Sequence, residues 1–297
     1  MLKSFAITTA FLLVSFQLFS QDFASQYKKI AGSNDTAAQA KILTAWEAAL
    51  PKDPELFIAY FNYYIKKSLT EVVSMDPIPK ENNTFVVTDT GTGKPVAYLN
   101  ASVKYESGVL QKGFDYINRG IALHPTRLDM RFGKIYMLGQ AENYPEFTNE
   151  IIKIIDFDNK INHEWLWKQG EPLDDPKDFF LGSLQDYINT IYETENDSLL
   201  PLMRQISEAV IRYYPNHVES LSNIAITYLI AEEYDKALPF LLQAERASPK
   251  DIIVLNNIAE AYKRLGDKAN AKAYFEKIIR YGNKEEAKDA KQSMKSL

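Results

Sequence analysis

LSNIAITYLIAEEYDKALPFLLQAERASP, residues 221–249, decides the fold once it is laid over LNNIAEAYKRLGDKANAKAYFEKIIRYGN, residues 255–283. At an offset of 34 residues, Leu221, Ile224, Ala225 and Tyr228 recur as Leu255, Ile258, Ala259 and Tyr262. Ala237 recurs as Ala271, and Leu241 recurs as Phe275. The first four positions step by three, one and three, which places them on one stripe of a helix. Ala237, Phe240, Leu241 and Ala244 form the matching stripe on a second helix. Two alanines facing each other let the backbones approach closely, and the larger Tyr228 and Leu241 fill the space beside them. Pro249 stops the second helix, because proline lacks the amide and restricts the residue before it. Gly266-Asp267 supplies the turn inside the second window. A fixed period of this length marks a stacked array of helix pairs.

The two windows resemble tetratricopeptide repeats, whose pattern is W-x2-L-G-x2-Y, then A-x3-F, then P. Leu221 and Leu255 stand at the tryptophan place, and Ala225 and Ala259 at the glycine place. Pro249 and Asn283 stand at the final proline place. The resemblance implies an all-α, right-handed solenoid of about five helix pairs. It also implies a concave face, lined by the first helix of each pair, that accepts peptides or partner helices. On that basis the partner-binding candidates are Glu219, Ser222, Ile226 and Leu229, then Ile253, Asn256, Glu260 and Lys263. Family members that bind chaperones clamp a terminal carboxylate with lysines, arginines and asparagines. Asn223, Asn257, Lys263 and Arg264 match that clamp only in part.

Working outward, residues 216–249 and 250–283 are the two clear repeats, and 284–297, charged and alanine-rich, suit a capping helix that covers the last apolar face. Residues 176–215 read as an earlier pair, since Pro215 and Pro249 are again 34 apart. Residues 126–157 read as another. Residues 54–125 read as a pair split by an insertion at 68–104, and 21–53 as an N-terminal helical segment. Within the insertion, Phe85-Val86-Val87 and Pro95-Val96-Ala97-Tyr98-Leu99 flank a glycine-containing turn, the signature of a β-hairpin. Two readings stand for it: a partner-binding flap, or an edge cap. Residues 158–175 form a linker holding Trp165 and Trp167. Two readings stand here as well: an aromatic interface, or rings that plug an irregular repeat.

Phe5 to Phe19 is an uncharged apolar run behind Lys3, and Gln21-Asp22 opens polar sequence. This reads as a signal peptide over residues 1–20, too short for a comfortable membrane span. The expectation is an exported protein, periplasmic or envelope-associated, with no stable membrane span after cleavage. The 297 residues are 46% hydrophobic, enough for a large core. There is no cysteine, which excludes disulfides, thiol catalysis and thiolate metal sites. Losing Lys3 takes the net charge from −5 to −6, with both signs interspersed, so no basic stripe offers itself to nucleic acid.

Enzyme signatures fail one by one. His163-Glu164 is followed by Trp167 where a metalloprotease helix needs its second histidine. Asp156-x-Asp158 opens like a calcium loop, but Lys160 sits at a ligand place and Ile161 where glycine is needed. Gly93-Lys94 lacks the earlier glycine and the following hydroxyl of a phosphate loop. No G-x-S-x-G elbow is present. The chain therefore reads as a non-enzymatic scaffold without cofactor or metal, binding protein or peptide partners in the envelope. The alternative reading is a glycan- or peptide-ligand-binding protein.

Overall fold

The computed structural model describes residues 22–79 and 84–297, so the signal-like segment 1–20 lies outside the described residues. The chain divides into two compact units. One comprises Met1–Met137 with Leu166–Pro172, the other Leu138–Trp165 with Leu173–Leu297. Among the described residues, no helix is long and apolar enough to cross a membrane.

In the first unit, residues 22–31 (α1) are followed by α2 (Thr36–Ala49) and α3 (Pro54–Ser68). Asp35 and Asp53 cap the last two by accepting backbone N–H groups of Ala38 and Glu55, and Pro54 takes the first helical place, where its missing donor costs nothing. Asp53 also accepts the buried Trp46 indole N–H at 2.9 Å, so one carboxylate both starts α3 and satisfies the core of α2. Leu43, Trp46, Leu56 and Tyr60 fill that core. The chain then leaves as a sheet and returns as α4 (Ser107–Leu123). Glu106 N–H donates to Ser68 C=O at 2.7 Å, so the insertion closes on itself and leaves α3 free to pack on α4.

That packing needs glycine. A Cβ on Gly120 would lie 2.7 Å from Phe57 Cβ and 3.2 Å from Met130 Sδ. Alanine at a helix interior gains roughly 1 kcal/mol of propensity over glycine. Crowding against a Cβ fixed to its own backbone costs about 1–3 kcal/mol, so the clash wins. Gly120→Ala is expected to lower stability in chemical denaturation despite its better helix propensity; a gain would mean α3 and α4 do not pack this closely.

The insertion is a three-stranded antiparallel sheet, β1 (Leu69–Asp76), β2 (Thr84–Thr88) and β3 (Pro95–Tyr105), in the order β1-β3-β2. The β2–β3 hairpin matches the two runs legible in the sequence. β1 is additional: its residues pair with β3 from Leu69↔Tyr105 to Asp76↔Tyr98. At the β2–β3 turn, Asp89 Oδ1 accepts from the Gly91 and Thr92 amides and from the Thr92 hydroxyl, and Gly93 takes φ 67°. These bonds, the Thr92 hydroxyl first, hold the Asp89 carboxyl below its usual range.

α5 (Leu128–Gln140) spans the boundary between units. The second unit continues with α6 (Tyr144–Ile161), α7 (Pro176–Tyr192), α8 (Leu200–Tyr213), α9 (Val218–Ile230), α10 (Tyr234–Ala247), α11 (Ile252–Arg264), α12 (Lys268–Tyr281) and α13 (Lys284–Met294). The repeat positions form its core. Leu221, Ile224, Ala225, Ala237 and Leu241 are fully buried, as are Leu255, Ile258, Ala259, Ala271 and Phe275. The two repeat tyrosines sit half-buried and stack instead of sealing the centre, Tyr228 on Phe240 and Tyr262 on Tyr274. α13 closes the end with a reciprocal Asn283–Glu286 cap and lays Ala290 and Met294 on the Phe275–Ile278 cluster.

The turns inside helix pairs share a device that composition hides. Glu142, Glu195, Glu232 and Gly266 each take a left-handed backbone, φ 55°, 53°, 58° and 79°. After three of them the next residue, Asn143, Glu233 or Asp267, donates its N–H to a carbonyl five residues earlier. This closes the preceding helix as a Schellman motif does. Glutamate at three of the four places removes the glycine that would have advertised the turn.

Candidate partner-binding face

All eight repeat-derived candidates lie on α9 and α11, the first helices of two successive pairs. A single core cluster joins Leu221 and Ala225 of α9 to Val254, Ile258 and Ala261 of α11. The 34-residue offset pairs Glu219 with Ile253, Ser222 with Asn256, Ile226 with Glu260 and Leu229 with Lys263. Glu219 and Asn256 are exposed, and Ser222, Ile226, Leu229, Glu260 and Lys263 are half-buried. Ile253 is 69% exposed, a large aliphatic side chain held in solvent at the start of α11. Lys263 Nζ lies 3.6 Å from Glu260 Oε1, an i,i+3 pair on the same helix. The face thus presents an exposed aliphatic side chain, an exposed amide and an ion pair.

A polar layer behind α9 was not legible in the sequence. Buried Asn223 donates to Gln185 Oε1 of α7 at 2.8 Å. Buried Thr227 donates to Ile224 C=O and accepts from Arg204 Nε of α8 at 2.8 Å. The Arg204 guanidinium lies 3.8 Å from the Tyr228 ring centroid. These groups fix the rotation of α9, and so which residues it presents outward. Asn223 is spent here and is not available to a carboxylate clamp.

His217 starts α9. Its Nδ1 accepts from the Ser220 amide at 3.3 Å and faces the Ser220 hydroxyl at 2.9 Å, while Nε2 lies 3.3 Å from Glu219 Oε2. Because the amide is only a donor, Nδ1 carries no proton and the ring is neutral. Burial pushes its pKa below the usual histidine value; Glu219 opposes the shift and Lys177 adds to it. A base with a depressed folded pKa contributes stability that is present above its unfolded value and lost as pH falls through the folded one. Unfolding of this unit is therefore expected to become easier as pH falls below about 6.5, the unfolded histidine value. His217→Asn keeps a cap acceptor and should flatten that part of a denaturation series; an unchanged slope would remove His217 as its cause.

The tryptophan segment separates into two roles. Trp165 is only 2% exposed, stacked on Phe180 with Phe157 beside it, and its indole donates to Asp158 Oδ1 at 2.7 Å. It plugs the core and offers no ring to an interface, which corrects the aromatic-interface expectation for this residue. The indole N–H found a buried acceptor, and that drew the ring inward. Trp167 is half-buried, edge-on to Phe132. Asp158 is fully buried and also accepts from Tyr214 at 2.8 Å and meets His163 Nδ1 at 2.9 Å. Desolvation, then the bond to Asp158, holds the Tyr214 phenol well above its usual pKa, so it remains a donor. The second carboxylate of the failed calcium motif is thus a meeting point of donors. Among the described residues, no group of three or more His, Cys, Asp or Glu side chains is placed to hold a metal.

No curated protein matches the chain. Solved structures that resemble it include YrrB, described as a TPR protein with an unusual peptide-binding site, at 12% identity and TM-score 0.41, over 84% of this chain and 97% of that one. A tetratricopeptide repeat protein from Parabacteroides merdae aligns at 12% identity and TM-score 0.35, over 89% and 80%. PilF of Pseudomonas aeruginosa aligns at 13% and 0.38, over 64% and 82%. Likenesses this distant carry no argument about what the chain does. The tetratricopeptide repeat family model matches residues 253–284, the α11–α12 pair whose core positions recur one period earlier in α9–α10. Residues 253–284 are thus a tetratricopeptide repeat.

Proposed function

We propose that the protein is a non-enzymatic scaffold that holds a peptide segment of a protein partner against the outward face of α9 and α11. The observation that carries this is Ile253. Leaving a large aliphatic side chain 69% exposed on a repeat helix, with half-buried Ile226 and Leu229 on the preceding first helix, marks a place where apolar surface is kept for a partner. The Glu260–Lys263 pair and Asn256 then set register along the peptide. Export to the cell envelope belongs to the same proposal and rests on the apolar run Phe5–Phe19 behind Lys3.

The test is crosslinking of the tagged chain in its native cells, followed by mass spectrometry of captured proteins and by cell fractionation. A small reproducible set of partners, recovered with the chain in the envelope fraction, is the expected result. Ile253→Asp is expected to weaken capture roughly tenfold or more, since burying an isoleucine contributes about 1.5–3 kcal/mol. Joint replacement Asn256→Ala with Lys263→Ala should weaken capture too. It should leave stability within about 0.5 kcal/mol, because exposed positions and surface ion pairs contribute little. Capture unchanged in both variants would move the partner to another surface, and a large loss of stability would make these residues structural.

A further inference from the structure

The three-stranded sheet has one finished face and one unfinished face. Strand residues alternate sides, and near Asn100 the register separates a polar side from an apolar one, with Val86 and Val96 exposed on the polar side toward the hairpin turn and Glu71 on the apolar side. Even-numbered positions carry a closed polar network. Asn100 is buried, donates to Asp76 Oδ2 at 2.8 Å and to Ile78 C=O, and accepts from the Thr84 hydroxyl at 2.6 Å. Ser74 donates to the same Asp76 carboxylate. Odd-numbered positions are apolar. Met75, Leu99 and Phe85 lie side by side across all three strands, and Val73 pairs with Ala101 beside them. Phe85 is 73% exposed, Met75 68% and Val73 66%. The charged residue on this side, Glu71, stands opposite Val103 toward the helical end, away from the centre.

A single sheet layer with an apolar face needs a second layer to bury it. We propose that the second layer is the same sheet of another copy of this chain, the two apolar faces packing about a two-fold axis. A two-fold contact requires a self-complementary patch, and a centre free of charge meets that requirement without like-charge repulsion. The size agrees. With Leu69 46% and Val103 56% exposed, these two and Val73, Met75 and Phe85 leave roughly 500 Å² of apolar surface, at the scale that marks an interaction site rather than scattered side chains. Two such faces bury roughly 1,000 Å², where specific interfaces begin. The sheet is then the dimerisation element.

The absence of cysteine makes the test clean, because a disulfide between copies can form only at an introduced thiol. Val73→Cys, Phe85→Cys, Leu99→Cys and Ala101→Cys sample the apolar face of the full chain, and Val86→Cys and Ser102→Cys sample the opposite face. After mild oxidation in cells, at least one of the first four is expected to give a band at twice the chain mass on a non-reducing gel, at least tenfold stronger than either of the last two and lost on reduction. Adding Phe85→Lys to whichever of Val73→Cys, Leu99→Cys or Ala101→Cys gives the strongest band should remove it, and adding Phe85→Leu should keep it. Circular dichroism of each variant checks that the fold persists. No doubled band from any of the four, equal bands from both faces, or crosslinks to a chain of different mass would each overturn the proposal.

Discussion

Asp158→Ala is expected to cost about 3 kcal/mol or more, since it strips the acceptor from buried donors that each lose about 1–3 kcal/mol when left unsatisfied. The carboxylate receives the Trp165 indole and the Tyr214 hydroxyl and faces His163 Nδ1, all within 3 Å. Trp165 cannot turn to water, because its ring is packed against Phe180 and Phe157. A loss of that size lowers the thermal midpoint of a unit of this length by roughly 6–12 °C. Asp158→Asn keeps the shape and one acceptor oxygen but presents an amide to a donor, so it should fall between parent and alanine. The measurement is chemical denaturation followed by tryptophan fluorescence, in a background with Trp46 and Trp167 replaced by Phe so that the signal comes from Trp165. An alanine variant within about 1 kcal/mol of the parent would show that the hub is not what holds this segment in place.

The second large effect concerns the repeat core. Ala225→Trp and Ala259→Trp place an indole where a methyl is fully buried between helices. Ala225 shares its cluster with Ala237 and Leu241, and Ala259 with Ala271 and Phe275. Overpacking costs typically about 1–3 kcal/mol per site and more when nothing can yield. Here the facing residues are alanines, with no side chain to rotate away, so the backbones themselves must separate. The expected result is a loss at or above the top of that range. Asn256→Trp, one turn away on the exposed side of α11, is the control and should stay within about 0.5 kcal/mol. If both alanine variants melt like the parent, the close pairing of α9 with α10 and of α11 with α12 is wrong.

The repeat was legible because its information is local and periodic. Leu255, Ile258, Ala259 and Tyr262 lie within eight consecutive residues, and a helix turns that spacing into a stripe without help from the rest of the chain. Pro249 and the Gly266-Asp267 turn punctuate the same windows, and Asp251 and Asp267 accept the first amides of α11 and α12 as cap residues do. The β2–β3 hairpin was legible for the same reason, through β-prone runs around a glycine turn. β1 was not, because Leu69–Asp76 follows α3 without a turn signal and becomes a strand only by pairing with β3, thirty residues on.

The sequence by itself therefore determined the helix pairs, their phase, their core stripes and which face of α9 and α11 points away from that core. Tertiary structure alone decided the rest. It drew Trp165 inward onto Asp158, gave glutamate the left-handed turn positions, and sorted the sheet into a satisfied polar face and an open apolar one. The physical reason is range. Amphipathic period, caps and breakers act over one or two helical turns, whereas a buried hydrogen-bond hub joins groups as far apart as Asp158 and Tyr214. A sheet face exists only once three strands share a register. Such features have no local signature, because each residue in them looks ordinary until its distant partner arrives.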